Sequence, residues 1–229
     1  MKRLLGLLLV MGMVGCGGGD EGAPAGLSPL PATPNKPQAK ADEPPVHAVE
    51  RSKLIRRGGL VYERDSETLF TGVRVKKHEN GQKAAEVPYK DGKQEGLTTY
   101  WHENGKKKIE VIYKDGKQEG LHTTWHENGK KNKESTYKDG KREGLVTTWS
   151  DSGQKREELT YKDGKFDGLQ TGWHENGQKS TEITYKDGKF DGLMTGWFDN
   201  GQKKMEATYK DGKQVSLTMW DKEGNETKE

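Results

Sequence analysis

Apolar and polar positions along this chain recur with a beat of 24 residues. Tyr89, Tyr113, Tyr137, Tyr161, Tyr185 and Tyr209 are each followed by Lys-Asp-Gly-Lys. Trp101, Trp125, Trp149, Trp173 and Trp197 keep the same interval. A fixed period of this size marks a repeat array. One unit, Gly168 to Asp191, contains two β-forming runs, Leu169-Gln170-Thr171-Gly172-Trp173 and Glu182-Ile183-Thr184-Tyr185. Runs of this kind, rich in Thr, Ile, Trp and Tyr, favour strands.

Two turn signals separate the runs. Asn-Gly or its equivalent recurs from Asn80-Gly81 to Asn200-Gly201, and Asp-Gly recurs from Asp91-Gly92 to Asp211-Gly212. Both are strong hairpin signals, because these residues tolerate positive φ. The pattern predicts an all-β fold: an elongated, single-layer antiparallel meander of about 13 strands, roughly 60 Å long at ~4.8 Å per strand. Near-identical repeats must present the same face, so the two turn types need equal parity. Three-residue loops with a left-handed glycine satisfy this. They place Leu169, Thr171, Trp173, Ile183 and Tyr185 on one side, and Glu182 and Thr184 on the other. The last copy is one residue short, so Trp220 arrives early.

Composition sharpens the picture. Only 29% of residues are hydrophobic and 33% are charged, far from the ~45–50% apolar content of ordinary globular domains. A thick core is excluded, but the regular aromatic and aliphatic positions argue against disorder of the array. Net charge is +3, with 39 basic and 36 acidic residues interleaved. No one-sided basic field for nucleic acid is present.

The first residues read as an export signal: Lys2 and Arg3 precede the apolar stretch Leu4 to Val14, which is too short to span a bilayer. Cys16, the sole cysteine, follows Met13-Val14-Gly15. This resembles a bacterial lipobox, with Met13 in place of the usual Leu. The resemblance implies cleavage after residue 15, lipidation of Cys16 and a bacterial envelope location, at the outer membrane or cell surface. Several acyl chains would anchor stably. Seven of the eight prolines lie between Pro24 and Pro45, a composition that holds no core. The expected divisions are therefore 1–15 signal peptide, 16–57 flexible tether, 58–225 repeat array and 226–229 tail.

The pattern G-L-x-T-x-W-x-x-N-G-x-K…Y-K-D-G-K resembles the MORN repeat in its bacterial variant form. That resemblance implies a single-layer sheet of hairpins serving as a binding or scaffolding surface, without catalysis. It also implies an antitoxin- or immunity-like role with a toxin-like or envelope protein as partner.

Candidate chemistry is sparse. Trp101, Trp125, Trp149, Trp173 and Trp197, with Tyr113, Tyr137, Tyr161 and Tyr185, could stack on glycans or cationic groups. The same rings are equally the only core available to a thin protein. His78, His102, His126 and His174 share one phase beside the Asn-Gly turns. Equivalent strands lie roughly 10 Å apart, too far to share a metal, and exposed turn residues are expected. Asp115-Gly116…Glu119 and Asp187-Gly188…Asp191 offer too few oxygens for a calcium loop. The recurrent Glu86, Glu110, Glu134, Glu158, Glu182 and Glu206, and lysines from Lys83 to Lys203, suit a solvated face. No nucleophile–base pair, phosphate loop or zinc spacing appears, so neither an enzyme nor a cofactor is expected.

Overall fold

The computed structural model describes residues 48–227. Strands β1 (Ala48–Glu50), β2 (Leu54–Arg57) and β3 (Leu60–Glu63) precede the regular array. β1 runs parallel to β4 (Gly72–Lys77), with Ala48 opposite Val73. β2 and β3 form a separate hairpin, turned by Gly58 and Gly59, both at positive φ. The expected boundary at residue 58 therefore bisects a hairpin, and residues 48–57, assigned to the tether, are strand and 3-10 helix. No 24-residue beat marks these elements in the sequence. Likewise Glu226–Thr227, assigned to the tail, form a short strand against Met219 and Trp220. Val49, Leu54, Val61 and Phe70 pack as a small core against which Tyr89 rests.

From β4 through β5 (Lys83–Lys90) to Lys213–Trp220, successive strands pair antiparallel, giving with β1 and Glu226–Thr227 one sheet of 17 strand segments. The all-β meander is as the repeat pattern predicts. Strands such as Lys165–Trp173 and Lys179–Lys186 recur along the array, the former divided in two at Lys93–Gln94/Gly96–Trp101 and Lys141–Arg142/Gly144–Trp149.

The turns are of two lengths. At each Asp-Gly the flanking lysines pair directly, as Lys186 with Lys189. Asp187 and Gly188 sit at φ 49° and 84°, so this is a two-residue turn of the I′ kind. At Asn-Gly the loop has three residues: the Gly177 N–H donates to His174 O (3.0 Å), and the His174 N–H donates to Gln178 O (2.8 Å). Gly177 is left-handed at φ 83°.

Unequal loops would flip the face at every repeat. A bulge prevents it. Trp173 pairs with Lys179, but Gly172 pairs with Thr181, so Ser180 is an extra residue that restores the register. Equal parity holds, as the repeats require, but by this route. The expected face assignment is consequently wrong. Thr171 lies opposite Glu182 and Leu169 opposite Thr184, while Gln170 lies opposite Ile183 and Gly168 opposite Tyr185. Leu169, Thr171 and Trp173 thus share a face with Glu182 and Thr184, and Ile183 and Tyr185 occupy the other. In the shortened last copy, Thr208 pairs with Ser216 and Tyr209 with Gln214, leaving Val215 as the extra residue.

Candidate interaction surface

The tyrosine face holds most of the apolar core. Val87, Val111, Val146, Leu159, Ile183 and Ala207 are buried along it. Rings stack across neighbouring strands in a column: Tyr161–Phe166 at 4.8 Å, Phe166–Tyr185 at 5.1 Å, Tyr185–Phe190 at 5.0 Å and Phe190–Tyr209 at 5.1 Å. Burial, then the nearby Glu157 carboxylate, raises the Tyr185 phenol above its ordinary value. Arg142 replaces the phenylalanine one unit earlier and bridges the hydroxyls of Tyr137 and Tyr161, at 3.1 Å each. Tyr137, unlike the later tyrosines, neighbours His122, with ring centroids 5.7 Å apart. Tyr113 pairs with Gln118 across its turn.

The tryptophan face is organised by charge. Lys155 Nζ lies 5.3 Å from the centroid of the Trp173 ring and 2.6 Å from Glu158 Oε1. The same triad recurs for Trp101, Trp125, Trp149 and Trp197 with Lys83, Lys107, Lys131 and Lys179, and Trp220 is met by Lys203. Each lysine also pairs with the glutamate three residues on. One side of every indole is thus occupied by a lysine of the preceding unit. The threonines between them, Thr99, Thr123, Thr147, Thr171 and Thr195, are buried.

The Asn-Gly turns are stapled together. His78, His102, His126 and His174 each donate from Nε2 to a carbonyl one unit on (Trp101, Trp125, Trp149 and Trp197), at 3.0 Å. They are half-buried structural links rather than the exposed residues expected. Asn176 Nδ2 donates to Asp199 O while its Oδ1 accepts from the Gln178 N–H (3.0 Å). The Asp-Gly turns are also docked: Glu119 accepts the Asp139 N–H (2.8 Å), and Asp191 the Asp211 N–H (3.3 Å). The acids weighed as calcium ligands are thereby turn caps. An open depression of about 880 Å³ lies beside the turns at Ser150–Ser152 and His174, and its lining is largely polar.

One feature was misplaced by sequence reasoning. Leu97, Leu121, Leu145, Leu169 and Leu193 are between 48% and 53% exposed, whereas the expected faces put Leu169 with Ile183 and Tyr185. They form a row on the tryptophan face, alternating on adjacent strands with Ile112, Thr136, Thr160, Thr184 and Thr208. Their 24-residue recurrence was visible. Their outward direction was not, because it depends on the bulge. The predicted binding residues are thus split: the five tryptophans flank this row, and Tyr113, Tyr137, Tyr161 and Tyr185 lie on the opposite face. Cys16 lies outside the described residues.

Six segments match the MORN repeat variant family: 70–91, 94–115, 118–139, 142–163, 166–187 and 190–211. No curated protein matches the chain. MORN repeats are a non-catalytic repeat type that generally mediates protein or membrane interactions. With these tandem matches covering more than half of its 229 residues, the chain belongs to the MORN repeat variant family.

Proposed function

We propose that this chain is a non-catalytic, protein-binding repeat lipoprotein whose partner docks on the leucine row of the tryptophan face. The observation that carries this reading is the alignment of five half-exposed leucines, one per unit, on a face whose other side chains are mainly Thr, Trp, Lys and Glu. Single exposed leucines are ordinary, whereas an aligned apolar row rimmed by polar residues suits a protein interface. The tryptophans stand beside the row as part of the same surface. Their lysine-covered rings suit a protein rim better than a stacking platform for sugars. Cys16 anchors the array at the bacterial envelope, and an immunity-like role toward a toxin-like or envelope protein fits such a position.

The test is capture from envelope extracts by the full chain and by its Leu121→Ser/Leu145→Ser/Leu169→Ser variant. The reading predicts a protein held by the parent and lost by the variant at unchanged stability. Capture that ignores the leucines, or retention of glycan alone, would overturn it. The anchor is tested apart: Cys16→Ala should release the protein from membranes without detergent.

A further inference from the structure

Strand pairing fixes which side chains of the β2–β3 hairpin face the array. Leu54 lies opposite Glu63 and Arg56 opposite Val61, so these four share one face of the hairpin. Leu54 and Val61 are buried with Phe70, and Tyr89 packs against them. Arg56 is therefore carried on the array-facing side. From the array, Arg74 projects on the tyrosine face, opposite Val87. A cleft of about 550 Å³ lies between hairpin and array. Arg51, Arg56, Arg64 and Arg74 line it, with Leu54, Val61 and Tyr89 as an apolar wall.

No carboxylate lines this cleft. Among the described residues, none of its four arginines has a carboxylate within ion-pair distance, whereas Arg57, on the outer face of the hairpin, pairs with Glu67 at 2.9 Å. Glu50, Glu63 and Asp65 line an adjoining depression that shares Arg64, and they stay beyond that distance. Arg64 is held in place by its Nε, which donates to Ser52 O (2.6 Å). Arg74 stands over the Tyr89 ring at 6.0 Å, and its Nε is buried with no hydrogen-bond partner. A donor taken out of water without an acceptor is unfavourable, and an oxyanion in the cleft would supply the acceptor.

Arginine forks match the oxygens of carboxylate and phosphate. A monoanion leaves most of the four charges uncompensated. A phosphomonoester carries about −1.5 to −2 at pH 7 and offsets more of them. The apolar wall suits an organic group on the ester, and the volume falls in the ~300–1,000 Å³ range of small-molecule sites. We infer that this cleft binds a phosphomonoester dianion with an apolar substituent, held by Arg56 from the hairpin and Arg74 from the array. Three of the four arginines precede residue 70, where the first repeat match begins, so the site belongs to the cap of the array rather than to its repeats.

Phenyl phosphate is the probe, titrated into the full chain by calorimetry, with phenyl sulfate as the monoanion of similar shape. The phosphate should bind at least about tenfold more tightly than the sulfate. Its affinity should fall as pH drops through ~6, where the ester loses its second charge and arginine keeps its own. Arg56→Gln and Arg74→Lys should each weaken binding at least about tenfold, and Arg57→Gln should leave it unchanged. Melting temperatures check that the variants fold, and the exposed Arg56 keeps the test open if Arg74→Lys does not. No binding, equal binding of the sulfate, or an equal loss in Arg57→Gln would overturn the site. Phosphatidylcholine vesicles with and without phosphatidic acid then separate the sources. Displacement of phenyl phosphate only by the vesicles that carry phosphatidic acid, dependent on Arg56, assigns the bound site to a lipid headgroup. Failure to displace it assigns the bound site to a soluble ester.

Discussion

Lys155 covers the Trp173 ring from 5.3 Å while it pairs with Glu158, so the indole binds an ammonium group supplied by the array itself. The contact joins successive units on a face that has few buried aliphatic side chains. A cation over an indole contributes ~0.5–1 kcal/mol at exposed sites. A double-mutant cycle with Lys155→Met and Trp173→Leu, read by urea unfolding, should return a coupling of about that size. A coupling of zero would remove the ladder from the account of stability.

The Asp-Gly turns differ in what surrounds their glycines. Gly188 sits at φ +84°, and a Cβ added there meets only Lys165 Cβ at 3.9 Å. Gly188→Ala should therefore cost only the left-handed backbone, ~1–2 kcal/mol. Gly92, at φ +76°, would place its Cβ 2.9 Å from both Val61 O and Leu69 Cδ2. Gly92→Ala should cost measurably more, because backbone of the β2–β3 hairpin must shift. Equal losses in thermal unfolding would contradict the docking of that hairpin on the first Asp-Gly turn.

His122 faces the tyrosine side between Val111 and Ser135, and both of its ring nitrogens are buried without a hydrogen-bond partner. Burial, then Lys133 and Arg142, lowers its pKa. The folded state therefore resists protonation that the unfolded chain accepts near pH ~6.5. The stability from neutral His122 is complete above that pH and is lost as pH falls through it toward the depressed folded value. Unfolding titrated from pH 7.5 to 5 should show this loss, and His122→Gln should flatten it. An unchanged slope in the variant would assign the pH dependence elsewhere.

Asn176 links its own turn to the next through Asp199 O and the Gln178 N–H. Asn176→Ala should destabilise the array by about 1–2 kcal/mol, two exposed bonds at the modest net value of each. Denaturant unfolding with an unchanged slope and a lowered midpoint is the expected result. No shift of the midpoint would mean the staple is dispensable.

Much of the fold was readable from residues alone. Asp187-Gly188 and Asn176-Gly177 announced the reversals, and the Trp and Tyr positions announced the strands. What stayed hidden was parity. Ser180 carries no glycine or proline to mark the bulge, yet this one residue exchanges the faces of Leu169 and Ile183 relative to Glu182. The expected faces therefore group Leu169 with Ile183 and Tyr185, away from Glu182. The histidines illustrate a smaller miss: the phase of His174 was seen, but its reach to Trp197 O depends on how turns stack. The elements between Ala48 and Glu63 stayed hidden because they lie ahead of the repeat.

The face assignment underlies the proposed surface, and side-chain NOEs in the full chain test it most directly. Leu169 pairs with Thr184 and Ile183 with Met194. The account predicts NOEs from the Leu169 methyls to the Thr184 methyl, and from the Ile183 methyls to the Met194 methyl. NOEs joining Leu169 to Ile183 and to the Tyr185 ring would place the leucines in the core and contradict it.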